Sequence, residues 1–314
     1  MRVIVTGANG FVGRATCAAL CDAGHDVTAL VRRPGSCEPR VHEQVIADDN
    51  FASLTALPAA DVLIHLAARV HVMKDSAGDP LREYRAVNVE GSLNVARAAL
   101  RAGVKRLVYI SSIKALGEGE PGRPWREDDP PAPSDPYGIT KLEAERVLAG
   151  FGREQGMEVV VLRPPLVYGP GVRANFEQLM RAVERGIPLP LGAIDARRSM
   201  VYVGNLADAI RFVATRSEPT SGVFHVTDGD DFSVAQMIRA LAKAFNKPAR
   251  LLPVPPSWLR AAGALTGCTA QVDRLTSPLR MDSTRLRTGL GWTPPATVAD
   301  GIAQTVRAFQ EARR

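Results

Sequence analysis

Thr6-Gly7-Ala8-Asn9-Gly10-Phe11-Val12-Gly13 follows a β-branched run, Arg2–Thr6, near the start of a 314-residue chain. Glycine lets the backbone turn tightly after a strand and approach an anion with no Cβ in the way. A helix opening near Phe11 then presents free N–H groups and its positive dipole end to that anion. Three glycines alone are a weak signal. At the first strand–helix junction of a chain with the right periodicity, they point to the pyrophosphate of a dinucleotide. The alternative is a tight turn that needs glycine for packing alone. On the dinucleotide reading, Gly7, Gly10, Phe11, Val12 and Gly13 form the phosphate turn.

The periodicity around the turn supplies that context. Val3–Val5, Asp26–Val31, Val62–His65, Leu107–Ile110 and Val159–Leu162 read as strands, mostly apolar throughout, as in a parallel sheet covered on both faces. A further short strand is expected at Val45–Ala47. Helix-period segments lie near 11–23, 81–102 and 137–155, and Gly24, Gly103 and Gly156 follow them where a left-handed C-cap is wanted. Strand–helix alternation predicts an α/β fold with a Rossmann-type doubly wound parallel sheet. After Pro170 the regularity loosens to a helix at 175–185, a loop ending Ile187–Gly192, a strand at Met200–Val203 and a helix from Asn205. The expected division is a dinucleotide-binding domain over 1–170, with 199–226 returning to it, and a smaller C-terminal α/β substrate lobe from 171–198 and 227–314. The Pro-rich stretch Pro121–Pro136 reads as a loop, because another helix and strand follow at once.

Composition bounds the rest. An apolar fraction of 46% is ample for a core and excludes a disordered or collagen-like chain. Lys+Arg 39 against Asp+Glu 33 gives a net charge of +6, which suits an anionic ligand and is too diffuse to indicate nucleic acid. The four cysteines (Cys17, Cys21, Cys37, Cys268) are irregularly spaced, so no metal site is expected and they read as small buried thiols. The chain opens directly on a strand, and its most apolar later stretch, Leu251–Cys268, is broken by Pro253, Pro255, Pro256 and Arg260. Neither a signal peptide nor a membrane span is expected, and the location reads as cytoplasmic.

The end of the second strand bears on cofactor choice. NAD enzymes place a carboxylate there for the adenosine ribose. Here Val31 is followed by Arg32 and Arg33, whose guanidinium groups match a 2′-phosphate. NADP(H) is therefore the preferred expectation, with NAD possible. Asp48, with Asp49 beside it, follows the third strand, where a carboxylate can accept from the adenine amino group. Tyr137 and Lys141 lie four residues apart at the start of a helix, which puts phenol and ammonium on one face. The lysine is expected to favour the phenolate of a group whose free pKa is about 10. Ser111-Ser112 follow the fourth long strand, at the carboxyl edge where ligands bind in open α/β sheets.

Together these features resemble the extended short-chain dehydrogenase/reductases of the nucleotide-sugar epimerase/dehydratase group. The resemblance runs over essentially the whole chain. It rests on Thr6–Gly13, His65-Leu66-Ala67-Ala68, Asn88-Val89-Glu90-Gly91, Ser111-Ser112, Tyr137-Gly138-Ile139-Thr140-Lys141 and Arg163-Pro164-Pro165-Leu166-Val167-Tyr168-Gly169-Pro170. It implies Ser112, Tyr137 and Lys141 as catalytic residues, with Ser112 and Tyr137 also touching substrate and Tyr137 and Lys141 also touching cofactor. Leu66, Ala67, Ala68 and Pro164 would line the cofactor channel, and Asn88 would be a buried polar residue shaping the site. Lys114, Asn175, Phe176 and Arg198 would contact the nucleotide-sugar. A homodimer is implied on the same ground.

The departures narrow the chemistry. Sugar 4,6-dehydratases carry Asp-Glu directly after the catalytic hydroxyl; here Ile113 and Lys114 stand there, so dehydration is not expected. Leu116 and Leu166 replace residues that relatives use in the sugar pocket. The expected activity is oxidoreduction at C4 of a UDP- or dTDP-linked hexose. The main reading is an NADP(H)-dependent reductase of a 4-keto-6-deoxy sugar nucleotide in surface-polysaccharide synthesis. The alternative is an NAD-dependent UDP-hexose (glucose or N-acetylglucosamine) 4-epimerase. A non-catalytic dinucleotide sensor on the same fold is a third reading, opposed by the retained Ser112, Tyr137 and Lys141.

Overall fold

The computed structural model describes residues 1–70 and 79–313. Its large sheet has seven parallel strands in the order β3-β2-β1-β4-β5-β6-β9: β1 Arg2–Thr6, β2 Asp26–Val31, β3 His42–Val45, β4 Val62–His65, β5 Arg106–Ile110, β6 Glu158–Arg163 and β9 Gly222–His225. The third strand ends two residues earlier than the sequence predicts. A second sheet of three strands, in the order β10-β8-β7, joins β7 Leu166–Tyr168, β8 Arg197–Tyr202 and β10 Asp231–Ser233. Residues 203–225 thus return to the large sheet through α6 (Val203–Thr215) and β9, while β8 stays in the small one.

Alternation along each strand builds two cores, one on each face. Val3 and Val5 of β1, Val108 of β5 and Val160 of β6 pack with Cys17 and Leu20 of α1 (Phe11–Asp22) and with Leu206 and Ile210 of α6. Ile4, Leu107 and Val161 point the other way. There they meet Val95 and Ala99 of α3 (Gly91–Arg101) and Ala144 and Leu148 of α4 (Pro136–Gln155). α2 (Pro80–Arg85) runs into α3 through one π-helical turn, Ala86–Glu90. Gly24, Gly103 and Gly156 take positive φ at the ends of α1, α3 and α4, as the sequence predicts.

The small sheet has its own core of Tyr168, Phe176, Met180, Tyr202, Leu241 and Ile302. Those residues join β7 and β8 to α5 (Ala174–Glu184), α7 (Val234–Ala244) and α10 (Val298–Glu311). α8 (Pro256–Thr266) and α9 (Thr269–Thr276) form a hairpin between α7 and α10 in sequence. Cys17 is buried and Cys268 exposed, with Cys21 and Cys37 between, so the buried-thiol expectation holds fully for Cys17 alone. Among the described residues, no cluster of His, Cys, Asp and Glu could hold a metal, and no helix is long and apolar enough to cross a membrane.

Candidate active site

Parallel strands collect their carboxyl ends on one edge, and the principal cavity, about 710 Å³, opens there. Gly7, Gly10, Phe11, Val12 and Gly13 line it. Gly7 has φ +67°, and a Cβ on it would stand 2.8 Å from the Ala67 nitrogen. A Cβ on Gly13 would stand 2.1 Å from the Gly7 oxygen, so the helix can sit this close to the turn only without one. α1 has no side-chain cap at Gly10, which leaves its first N–H groups directed at the cavity.

A buried polar chain holds the opposite wall. Thr6 Oγ1 accepts from the N–H groups of Leu66 and Ala67 at 3.2 and 3.1 Å, so its own proton goes to His65 Nδ1 at 2.7 Å. Ser92 Oγ donates to the Asn88 carbonyl at 2.6 Å and accepts from His65 Nε2 at 2.9 Å. Burial first, and the Lys141 ammonium second, depress the His65 pKa to about 3, so the ring is neutral. Asn88 Oδ1 accepts from the Arg69 N–H at 2.8 Å while its Nδ2 donates to Thr140 Oγ1 at 3.1 Å. It therefore ties the loop holding Leu66, Ala67 and Ala68, all three in the cavity wall, to α4. Sequence reasoning assigned Asn88 a shaping role and missed Thr6, His65 and Ser92. The available signal was polar residues closing two otherwise apolar strands.

Ser112, Tyr137 and Lys141 line one end of the same cavity. Asp135 starts α4, its Oδ1 accepting from the Gly138 N–H at 2.6 Å, and this sets the first turn that carries Tyr137. One turn on, the buried Lys141 donates to the Ile110 carbonyl at 2.8 Å; its Nζ lies 4.6 Å from the Tyr109 ring centre and 5.8 Å from that of Tyr137. Burial lowers the Lys141 pKa to about 7, against the pull of Glu145. Burial also raises Tyr137, to about 12, despite a hydrogen bond from Ser112. The expected depression of the phenol is therefore not seen: desolvation dominates, and the Lys141 ammonium is turned to a carbonyl and to the Tyr109 ring. Ser111, not singled out for a role, also lines the cavity, with its buried Oγ unpartnered.

The adenosine end differs from expectation. Arg32 lines the cavity beside Asp49 and is ion-paired to it, whereas Arg33 is exposed and lies outside the walls. A carboxylate thus stands beside the end of β2, supplied by the loop after β3, and of the two arginines only Arg32 reaches the cavity. Asp48 lies outside the lining; its Oδ2 accepts from the Ser53 N–H at 2.9 Å and its buried Oδ1 has no partner. The free N–H groups following Gly10, the unpartnered Ser111 hydroxyl and the paired Arg32–Asp49 fit an extended dinucleotide.

Beyond Ser112 and Tyr137, the expected substrate contacts do not line this cavity. Phe176 is buried and stacks on Tyr168 with ring centres 5.8 Å apart, so it belongs to the core of the small sheet. Asn175 is exposed at the start of α5. Arg198 donates through Nη1 to the Arg274 and Ser277 carbonyls at 2.8 and 2.9 Å. Lys114 is ion-paired to Asp135 and, at 3.1 Å, to Glu118. Leu116 is fully buried against Ile113, Trp125, Leu279 and Met281 and does not reach the cavity wall; Leu166 is exposed. Pro164, Pro165 and Val167 supply that wall instead.

Residues 3–227 match the model of the NAD dependent epimerase/dehydratase family. The chain belongs to that family. It is 42% identical to the UDP-glucose 4-epimerase of Vibrio cholerae over 99% of this chain and 96% of that one. The UDP-glucose 4-epimerase of Thermus thermophilus, solved in complex with NAD, superposes with a TM-score of 0.78 at 27% identity, covering 99% of this chain and all of that one. MoeE5, solved with UDP-glucose and NAD, gives 0.78 and 27% over the full length of both. Membership in the epimerase/dehydratase family makes this chain an enzyme of the extended short-chain dehydrogenase/reductase, nucleotide-sugar type.

Proposed function

We propose that the chain is an NAD-dependent UDP-hexose 4-epimerase, with glucose or N-acetylglucosamine as the sugar. The observation that carries this reading is one cavity walled by Ser112, Tyr137 and Lys141 at one end and by the Arg32–Asp49 pair at the other. Asp49 engages the Arg32 guanidinium, which leaves that arginine less charge to offer a 2′-phosphate. That weighs against the NADPH-consuming reductase, which the sequence alone had favoured, as does the 42% identity to a UDP-glucose 4-epimerase. The reductase reading keeps a relative of its own, the GDP-6-deoxy-D-mannose reductase of Pseudomonas aeruginosa at 28% identity.

The backbone N–H groups following Gly10 and the walls at Leu66–Ala68 and Pro164 would hold the dinucleotide, with Lys141 at its nicotinamide ribose. Bound NAD⁺ supplies the hydride acceptor at C4 and a positive charge that favours the Tyr137 phenolate. Ser112 Oγ donates to the C4 oxygen and holds it in line with the phenol. Tyr137 takes the hydroxyl proton and later returns it. Lys141, one turn on from Tyr137 with its Nζ 5.8 Å from the phenol ring centre, would favour the phenolate by its charge. The net conversion is redox-neutral, so no reductant is consumed. Incubation with UDP-glucose or UDP-N-acetylglucosamine and no added reductant should interconvert the C4 epimers. Stoichiometric oxidation of NADPH by a UDP-4-keto-6-deoxy hexose, with no epimer formed, would restore the reductase. A homodimer and a cytoplasmic location complete the proposal.

A further inference from the structure

Lys114 stands where related dehydratases carry a carboxylate, and its surroundings give it different work. Its N–H donates to Ser112 Oγ at 3.2 Å. Its carbonyl oxygen lies 2.4 Å from where a Cβ on Gly138 would be, so the first turn of α4 presses directly on the Lys114 backbone. Its ammonium pairs with Asp135, the cap of that turn, and with Glu118 at 3.1 Å. Glu118 in turn meets Arg274 of α9 at 3.4 Å, and the Arg274 carbonyl holds Arg198 of β8. The same segment is clamped further along, where Glu120 pairs with Arg280 at 2.5 Å and Trp125 exchanges backbone hydrogen bonds of 2.9 and 2.8 Å with Arg280 and Asp282.

We propose that Lys114 is a positioning residue that fixes Ser112 against Tyr137 and, through Asp135 and Glu118, couples that pair to the chain around α9 and β8. The proposal deepens the reading of Ser112 and Tyr137 as the catalytic pair. The titratable and charged groups around the phenol are Asp135 and Lys141 of α4, Ser112 and Lys114 after β5, Tyr109 within β5 and Tyr84 of α2. Of these, Asp135 and Tyr84 push the phenol up, and the Lys114 ammonium is paired to Asp135. Asp135 itself stays below the usual carboxylate range: burial raises it, but Lys114 and the Gly138 N–H together outweigh that.

Lys114→Met keeps the stem and removes the charge. It should lower kcat for C4 epimerisation about tenfold while KM for UDP-glucose stays within about twofold. A tyrosinate absorbance titration, blanked with Tyr137→Phe, should move to higher pH, because the Asp135 charge is then uncompensated. Lys114→Arg should restore both readings, and adding Asp135→Asn to Lys114→Met should bring the titration back down. A rise in KM at unchanged kcat would make Lys114 a substrate contact and overturn the proposal, as would an unmoved titration. Lys114→Gln, which retains a donor toward Asp135, carries the same readings if the methionine variant does not fold. The titration needs no substrate, so an error in the epimerase reading leaves this test intact.

Discussion

The two sheets of this molecule solve different problems with different parts. The seven-stranded sheet puts its polar groups at strand ends: Thr6, His65 and Ser111 close or follow β1, β4 and β5, and the middles of those strands are apolar core. The three-stranded sheet instead gathers polar partners around the loop that leads into β10. Asp228 accepts from Tyr168 Oη at 2.9 Å, the Tyr202 N–H at 3.0 Å and Asn205 Nδ2 at 2.8 Å, and Asn205 reaches 91 residues on to the Ala296 backbone. Desolvation raises both Asp228 and Tyr168, a cost met by that full set of partners. The first sheet presents chemistry at an edge; the second uses its polar groups to hold distant chain together.

That contrast breaks first at Tyr137. Tyr137→Phe should reduce turnover by about 10²–10⁴-fold with cofactor binding nearly intact, since only the proton carrier is lost. Steady-state kinetics beside a dinucleotide titration read both quantities, and near-normal turnover would show that the edge of the large sheet is not where the proton moves.

Phe176 tests the other region. Phe176→Ala should cost about 3–5 kcal/mol in denaturant unfolding, as for a ring removed from a packed core, while KM of the folded fraction stays within about twofold. Unchanged stability with a large rise in KM would make Phe176 a substrate contact and erase the distinction.

The smallest effect sharpens the comparison through two buried histidines. His65 is buried behind the Leu66–Ala68 wall of the cavity, and His225, buried at the end of β9, donates from Nδ1 to the Asp282 carbonyl at 3.0 Å. Burial depresses both pKa values to about 3. Between the ordinary value of 6.5 and that range the unfolded chain binds more protons. The stabilisation is therefore present above about pH 6.5 and is lost as pH falls toward about 3. From about pH 7 to about pH 5 the loss should be about 2 kcal/mol per histidine. Unfolding free energies that stay flat on acidification would contradict neutral burial.

How much of this could be read from the sequence follows the same division. The strands and helices of the large sheet and its glycine turn were legible because each is a local pattern of alternating burial, cap or close approach. That Ser112, Tyr137 and Lys141 meet at one cavity was legible because they stand at the ends of such patterns. Phe176, Arg198 and Leu116 lie away from the cavity because their surroundings come from Tyr168, Arg274 and Trp125, partners that no local spacing announces. Arg32 was read as a phosphate ligand for the same reason: its partner, Asp49, sits 17 residues away on another loop.

The claim that C4 chemistry here is internal and redox-neutral is tested most directly with UDP-glucose deuterated at C4, given to the protein with no reductant. Epimerisation through a held cofactor should yield UDP-galactose still carrying deuterium at C4. Absence of the epimer, or transfer of the label to free reduced nicotinamide in solution, would contradict it.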